Sequence, residues 1–156
     1  MPPDRARRCL LRLAAGTVAG TSGMLLLIRP AMATPEALEA AIANFTSGAV
    51  VGTGRVELQI AELVENGNAV PVTISVDSPM TAADHVKRIA LFNERNPLPD
   101  VAVFELSPAN GRAEVGTRMR LATSQSVVAL AQLSDGSFWQ HRVDVIVTLA
   151  ACIEGG

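Results

Sequence analysis

The chain has 156 residues, 49% of them hydrophobic and 18% charged, with a formal net charge of −2. That length fits one domain plus a targeting segment, and that composition supports a packed core and argues against wholesale disorder. With four Phe, one Trp and no Tyr, the chain lacks the aromatic platform on which single-stranded nucleic acid stacks.

The N-terminus reads as a secretory signal. Arg7-Arg8-Cys9-Leu10-Leu11 is a twin-arginine pattern, an apolar stretch runs from Leu13 to Ile28, and Ala31-Met32-Ala33 is an A-x-A cleavage site. A membrane span needs ~20 apolar residues, and this stretch is shorter and interrupted by Gly16, Gly20, Ser22 and Gly23. Residues 1–33 are therefore expected to be removed on export to the periplasm, by a route that carries folded cargo. Of 13 Lys and Arg, five leave with the signal; of 15 acidic residues, only Asp4 leaves, so eight cations remain against fourteen acids, a balance of −6. An acidic surface disfavours nucleic acid and anionic membranes as partners.

The mature chain opens with a short helix from Thr34 to Phe45. Thr34 is the expected N-cap, Pro35 takes the first helical position, and Leu38, Ala41, Ile42 and Phe45 form one apolar stripe. Gly48, Gly52 and Gly54 mark a loop. The period then drops to two: Val56, Leu58 and Ile60 alternate with Glu57 and Gln59, and Asn66-Gly67 predicts a tight hairpin turn into Val70–Val76. Further strands are expected over Val86–Phe92, closed by Asn96-Pro97, and over Val101–Leu106. Asn110-Gly111 turns the chain into Ala113–Ala122. Ser126–Leu133 follows, and Asp135-Gly136 turns it into Phe138–Leu149. About seven short strands without crossover helices predict an all-β, immunoglobulin-like β-sandwich and argue against a parallel sheet, in a domain over 34–149. The last strand anchors a C-terminal tail, residues 150–156, expected to be flexible.

That tail carries the most informative residue. Cys9 leaves with the signal, so Cys152 is the one thiol of the mature chain, in a compartment where cysteines usually pair. Such a thiol is either reactive or held in an intermolecular bond, or else is an inert buried residue; its place four residues from the end weighs against burial. A cysteine attacks as its thiolate, favoured by a nearby cation or helix N-terminus. The local sequence supplies Glu154 instead, and negative charge disfavours the thiolate. This suits a handle activated in a partner's site better than a self-sufficient catalytic cysteine, so no catalytic residue is assigned. Extended, Ala150 to Cys152 project the sulfur roughly 10 Å past Leu149.

Other candidates are weaker. His85 and His141 lie far apart in sequence, and His141 falls in a strand, where a surface or satisfied histidine is the ordinary case; a Cys-His nucleophile pair with either is the less favoured reading. No metal-ligand spacing occurs, and no cofactor is expected. Gly52-Thr53-Gly54 lacks the strand–loop–helix context of a phosphate cradle. Arg118 and Arg120 alternate on one strand face, ordinarily a solvated face but able to meet a partner carboxylate. Phe138-Trp139 reads as core or as an inter-subunit anchor.

Several segments together carry a family resemblance: Glu65-Asn66-Gly67-Asn68-Ala69-Val70-Pro71-Val72, Val76-Asp77-Ser78-Pro79-Met80, Ile89-Ala90-Leu91-Phe92 with Asn96-Pro97, Arg120-Leu121-Ala122-Thr123-Ser124-Gln125, Asp135-Gly136-Ser137-Phe138-Trp139, and the cysteine-bearing tail. In these the chain resembles the SoxY family, the sulfur-carrier subunits of the Sox thiosulfate-oxidation system. The resemblance implies a heterodimer with a SoxZ-like subunit and covalent attachment of thiosulfate-derived sulfur at Cys152. It also implies loading by a haem cytochrome, release of sulfate by a hydrolase, and oxidation of the remaining sulfur by a sulfur dehydrogenase. The family ends in Gly-Gly-Cys-Gly-Gly. Here Ala150 and Ala151 precede the cysteine, and Ile153-Glu154 stand before Gly155 and Gly156. Glycine gives such an arm flexibility and a narrow section, so a partner channel must here admit a branched side chain and a charge. The alternative reading is a divergent binding or scaffold subunit of a Sox-like complex that no longer carries sulfur; a free-standing thiol enzyme is a third.

Overall fold

The computed structural model describes residues 33–149; the expected signal, but for Ala33, and the expected tail with Cys152, Ala150, Ala151, Gly155 and Gly156 lie outside them. Helix α1 spans Pro35–Thr46. Its start follows from the sequence: the Thr34 hydroxyl accepts the Ala37 N–H at 3.2 Å, and Pro35 occupies the position where a missing N–H is harmless. It ends at Ser47, which takes a left-handed conformation (φ 53°) so that its N–H and that of Gly48 reach the carbonyls of the last turn.

Nine strands follow: β1 (Val51–Thr53), β2 (Val56–Gln59), β3 (Leu63–Asn66), β4 (Val70–Val76), β5 (Val86–Asn93), β6 (Asp100–Glu105), β7 (Glu114–Met119), β8 (Gln125–Leu133) and β9 (Phe138–Leu149). One sheet runs β1-β9-β8-β5-β6 with β3 also on β9; the other is β2-β4-β7. The expected sandwich is present, with β1 and β3 as two short strands beyond the seven read from the sequence.

The main core lies between the sheets. Val70, Val72 and Ile74 of β4 face Ile89 and Leu91 of β5 and Val127, Ala129 and Ala131 of β8 across it. A second cluster occupies the outer face of the larger sheet, where Leu38 and Ile42 of α1 cover Ala90, Phe92, Val128, Leu130 and Phe138. This explains why β5 and β8 read as continuous apolar runs instead of alternating: both of their faces are covered. Phe45 closes the cluster edge-on against Phe92 and Phe138, with centroids 5.9 and 6.1 Å away. The Arg88 guanidinium stacks 4.6 Å from the Phe45 ring.

One expectation of strand pairing is corrected. Asn66-Gly67 does not join a hydrogen-bonded hairpin. β3 pairs in parallel with β9, and the turn carries the chain across to β4 in the other sheet. Among the described glycines positive φ falls on Gly48, Gly54, Gly111 and Gly136 and not on Gly67. Pairing is mostly antiparallel, with β1 and β3 lying parallel on one edge of β9. Asp135-Gly136 does make the expected turn: Gly136 has φ 87° and its N–H donates to Leu133, while Ser137 caps Asp135.

Two exposed carboxylates are held below their ordinary values. Asp135 accepts the Ser137 hydroxyl and N–H at 2.7 and 2.8 Å. Glu36 is stabilised in its charged form by its own backbone N–H and then by Thr34. A depressed carboxylate contributes stability above its unfolded pKa, and that contribution is lost as pH falls through the folded one. A carboxyl-detected NMR titration should therefore find Asp135 titrating below 3.8 and Glu36 below 4.5. Replacing Ser137 by Ala should return Asp135 toward its ordinary value.

Candidate functional site: the root of the C-terminal arm

The site is built where β9 ends, because the sequence places Cys152 three residues beyond Leu149. β9 reaches this point as a strand with one face in the core. Val145 is buried and Val143 and Val147 pack against the core, while Asp144, Ile146 and Thr148 face outward. Its free edge is secured in three steps. β1 covers Phe138–Gln140, β3 covers Ile146–Leu149, and between them the His141 ring stands in for a strand. His141 Nδ1 accepts the N–H of Leu58 on β2 at 2.9 Å, so the neutral ring carries its proton on Nε2. Of the two ordinary outcomes for a strand histidine, surface or satisfied, this is the satisfied one. Replacing His141 by Ala strands a backbone N–H beside the buried Leu58 side chain and should cost about 1–3 kcal/mol. His141→Asn supplies a substitute acceptor and should recover part of that loss in urea unfolding.

The last residues of β9 are tied down on several sides. Leu149 O accepts the Gly67 N–H at 2.9 Å, and Gly67 O accepts the Leu121 N–H at 2.9 Å. The Ser124 hydroxyl accepts the Val147 N–H at 2.9 Å, and the Thr148 hydroxyl donates to Glu65 O at 3.1 Å. Leu121, fully buried, plugs this end of the sandwich.

Behind Leu121 lies a polar knot. Asn96 Oδ1 accepts from Ala122 N–H (2.9 Å) and from Gln125 Nε2 (3.0 Å), and Asn96 Nδ2 donates to Arg120 O (2.8 Å). Gln125 Oε1 accepts the Arg95 N–H. Asn93, 1% exposed, accepts the Asn96 N–H and donates to Leu98 O. Every buried side-chain polar atom among the described residues has a partner, so the knot is rigid and not a reservoir of unmet bonds. Ala33, the last residue of the expected signal, donates its N–H to Asn96 O at 2.8 Å, a bond that cleavage after Ala33 would remove.

The Asn66-Gly67 turn, the Asn96-Pro97 segment and the Arg120–Gln125 segment, far apart in the chain, thus meet at one place: the end of β9. Sequence reasoning gave no role to Asn93, Ser124 or Gln125. The available signal was the polar run Asn93-Glu94-Arg95-Asn96 straight after the apolar Ile89–Phe92. Around the root, Leu63, Ile146 and Leu149 are exposed by 62%, 60% and 57%, and Leu63 is the cross-strand neighbour of Ile146.

The remaining candidates separate from this site. His85 Nδ1 lies 3.1 Å from Thr81 O, and its backbone N–H donates to Ser134. Phe138 is core. Trp139 packs over Gly52, where an added Cβ would meet the ring at 2.8 Å, and carries Arg55 5.6 Å from its centroid. Gly52 and Thr53 therefore lie in the edge strand β1, not in the loop expected there, because Gly52 leaves room for the tryptophan ring; Gly54 follows the strand with φ 101°. Among the described residues no three His, Cys, Asp or Glu side chains cluster to hold a metal, and no helix is long and apolar enough to cross a membrane.

No curated protein matches the chain in sequence. Among solved structures it is similar to the sulfur carrier protein SoxY from Chlorobium limicola f thiosulfatophilum, with 28% identity and a TM-score of 0.61 over 72% of this chain and 92% of that one. It also resembles the superoxide reductase (neelaredoxin) from Ignicoccus hospitalis, with 18% identity and a TM-score of 0.54 over 74% of this chain and 94% of that one. A putative superoxide reductase from Thermotoga maritima gives 19% and 0.52 over 66% and 89%. At such identities these two likenesses speak for the sandwich alone. The family model for sulfur oxidation protein SoxY matches residues 42–152, from the middle of α1 through every strand to the tail cysteine, and on that match the chain belongs to the SoxY family.

Proposed function

We propose that this chain is an exported periplasmic carrier that holds thiosulfate-derived sulfur covalently on Cys152 and presents it to partner sulfur-oxidation enzymes. The observation that carries the reading is the reach of the family match, which runs to residue 152 and so includes the cysteine. The arm root supports it: a carrier needs a short reach fixed at one end, and the bonds on Val147, Thr148 and Leu149 fix that end. Loading joins the Cys152 sulfur to the terminal sulfur of thiosulfate. One S–S bond forms, the thiol proton leaves, and two electrons pass to an acceptor, the haem cytochrome of the system. A hydrolase then adds water across the sulfur–sulfonate bond, releasing sulfate and leaving a persulfide for a sulfur dehydrogenase. The chain supplies position and not chemistry in these steps, so it is a substrate carrier and not an enzyme. The exposed pair Leu63 and Ile146 beside the root offers apolar surface for a SoxZ-like partner subunit to cover.

Intact-mass measurement tests this. Incubation with thiosulfate and the loading cytochrome should add one thiosulfonate to the mature chain, cut after Ala33, and Cys152→Ser should add none. The second reading, a scaffold that no longer carries sulfur, is favoured by the Ala150-Ala151-Cys152-Ile153-Glu154 departure. It predicts no adduct on the wild-type chain and thiosulfate-dependent respiration indifferent to Cys152→Ser.

A further inference from the structure

Ala33, the residue before the expected cut, is built into the fold. It is only 5% exposed, and its N–H donates to Asn96 O at 2.8 Å. Asn96 is a fixed post for that bond. Its own N–H donates to Asn93, its amide nitrogen donates to Arg120 O, and its amide oxygen accepts from Ala122 and Gln125. Each polar group of Asn96 is engaged, and Ala33 holds the carbonyl.

The residue after the expected cut is committed as well. Thr34 is extended (φ −122°, ψ 164°), its hydroxyl accepts the Ala37 N–H at 3.2 Å, and its carbonyl accepts the Leu38 N–H at 2.9 Å. Pro35 is already helical, and Leu38 has no exposed surface beneath α1. A signal peptidase reads the small side chain before the cut, and proteases act on chain that is exposed or locally opened. Here that side chain is covered, and the helix starts two residues later.

We propose that the folded domain shields the Ala33–Thr34 bond, so that the signal is removed only when the first turn of α1 lifts and Ala33 leaves Asn96. The inference rests on the export reading above, in which the chain is cut after Ala33. Hydrolysis adds one water across the bond, leaving a carboxylate on Ala33 and an ammonium on Thr34. The cut then makes the opening hard to reverse. The Ala33–Asn96 bond is gone, and the new ammonium stands at the positive end of the α1 dipole. The uncut chain keeps its apolar segment, so this turn times the release of the carrier.

The test compares the full precursor with a peptide of residues 20–40 as substrates of purified signal peptidase in one detergent. Opening must give up the cap bond and the Ala33 bond, so the precursor should be cut about ten- to hundredfold more slowly than the peptide. Thr34→Ala removes the capping hydroxyl and should speed cutting of the precursor about three- to tenfold, leaving the peptide rate unchanged. In the processed chain, amide exchange at Ala37 and Leu38 should be about three- to tenfold faster than in the precursor. Equal rates for precursor and peptide overturn the proposal. So does a slow precursor that Thr34→Ala does not speed, because the shield then lies outside the first turn of α1. A peptide that is not cut after Ala33 removes the cut site and this proposal with it. The thiosulfonate adduct on Cys152 still decides the carrier chemistry in that case.

Discussion

Phe92→Ala should destabilise the domain by about 3–5 kcal/mol, read as a lower urea midpoint at unchanged slope. Phe92 is 1% exposed and lies on the outer face of β5, an interior strand of the larger sheet, beneath α1. Truncation removes its burial, opens a cavity between helix and sheet, and deletes the edge-on pair with Phe45. The surrounding cluster cannot easily collapse, because Ala90 and Val128 beside it are small and fixed by strand pairing. Phe92→Leu keeps most of the volume and should cost well under half as much. Since among the described residues α1 is what covers this face, hydrogen exchange should rise first in the helix, with the inter-sheet core protected longer. A loss spread evenly over both sheets would show that the helix and the sandwich form a single cooperative unit.

Leu121→Ala should cost about 2–5 kcal/mol, with a consequence that Phe92→Ala lacks. Leu121 is fully buried, packs with the inter-sheet core, and its N–H reaches Gly67 O. Its loss leaves a hole directly under the Gly67–Leu149 bond and beside the Asn96–Gln125 knot. Amide exchange at Gly67 and at Val147–Leu149 should rise more than in the strands facing α1. If the arm needs a fixed root to enter partner sites, Leu121→Ala should also slow cytochrome-dependent loading of Cys152 under conditions where the domain stays folded. Phe92→Ala, compared at equal folded fraction, should load normally. Equal loading by both variants would mean that the rigidity of the root has no part in presentation. The two substitutions thus separate stability of the domain from placement of the arm.

Much of the local architecture was readable from residue order. Thr34-Pro35 marks a helix start by a capping oxygen and a missing N–H, and both act as the chemistry requires. Alternation in Val70–Val76 identified the core face of β4 without reference to any partner. The position of Cys152 past the last strand followed from counting. The sequence also identified the family, since the motifs it shares recur in order along nearly the whole mature chain.

What remained for the tertiary structure was pairing between distant segments. A period of two says which side chains share a face, but it does not choose the strand on the other edge. Hence Asn66-Gly67 looked like a hairpin turn, whereas β3 lies parallel on β9 and the turn bridges two sheets. The same limit hid the arm root. Gly67, Asn96, Leu121 and Gln125 carry no common periodicity, and their bonds to one another span up to dozens of residues. Local order determined what each segment is; the closing of the sandwich, driven by burial of apolar faces that no single strand can bury alone, decided which segments stand together where the chain leaves for Cys152.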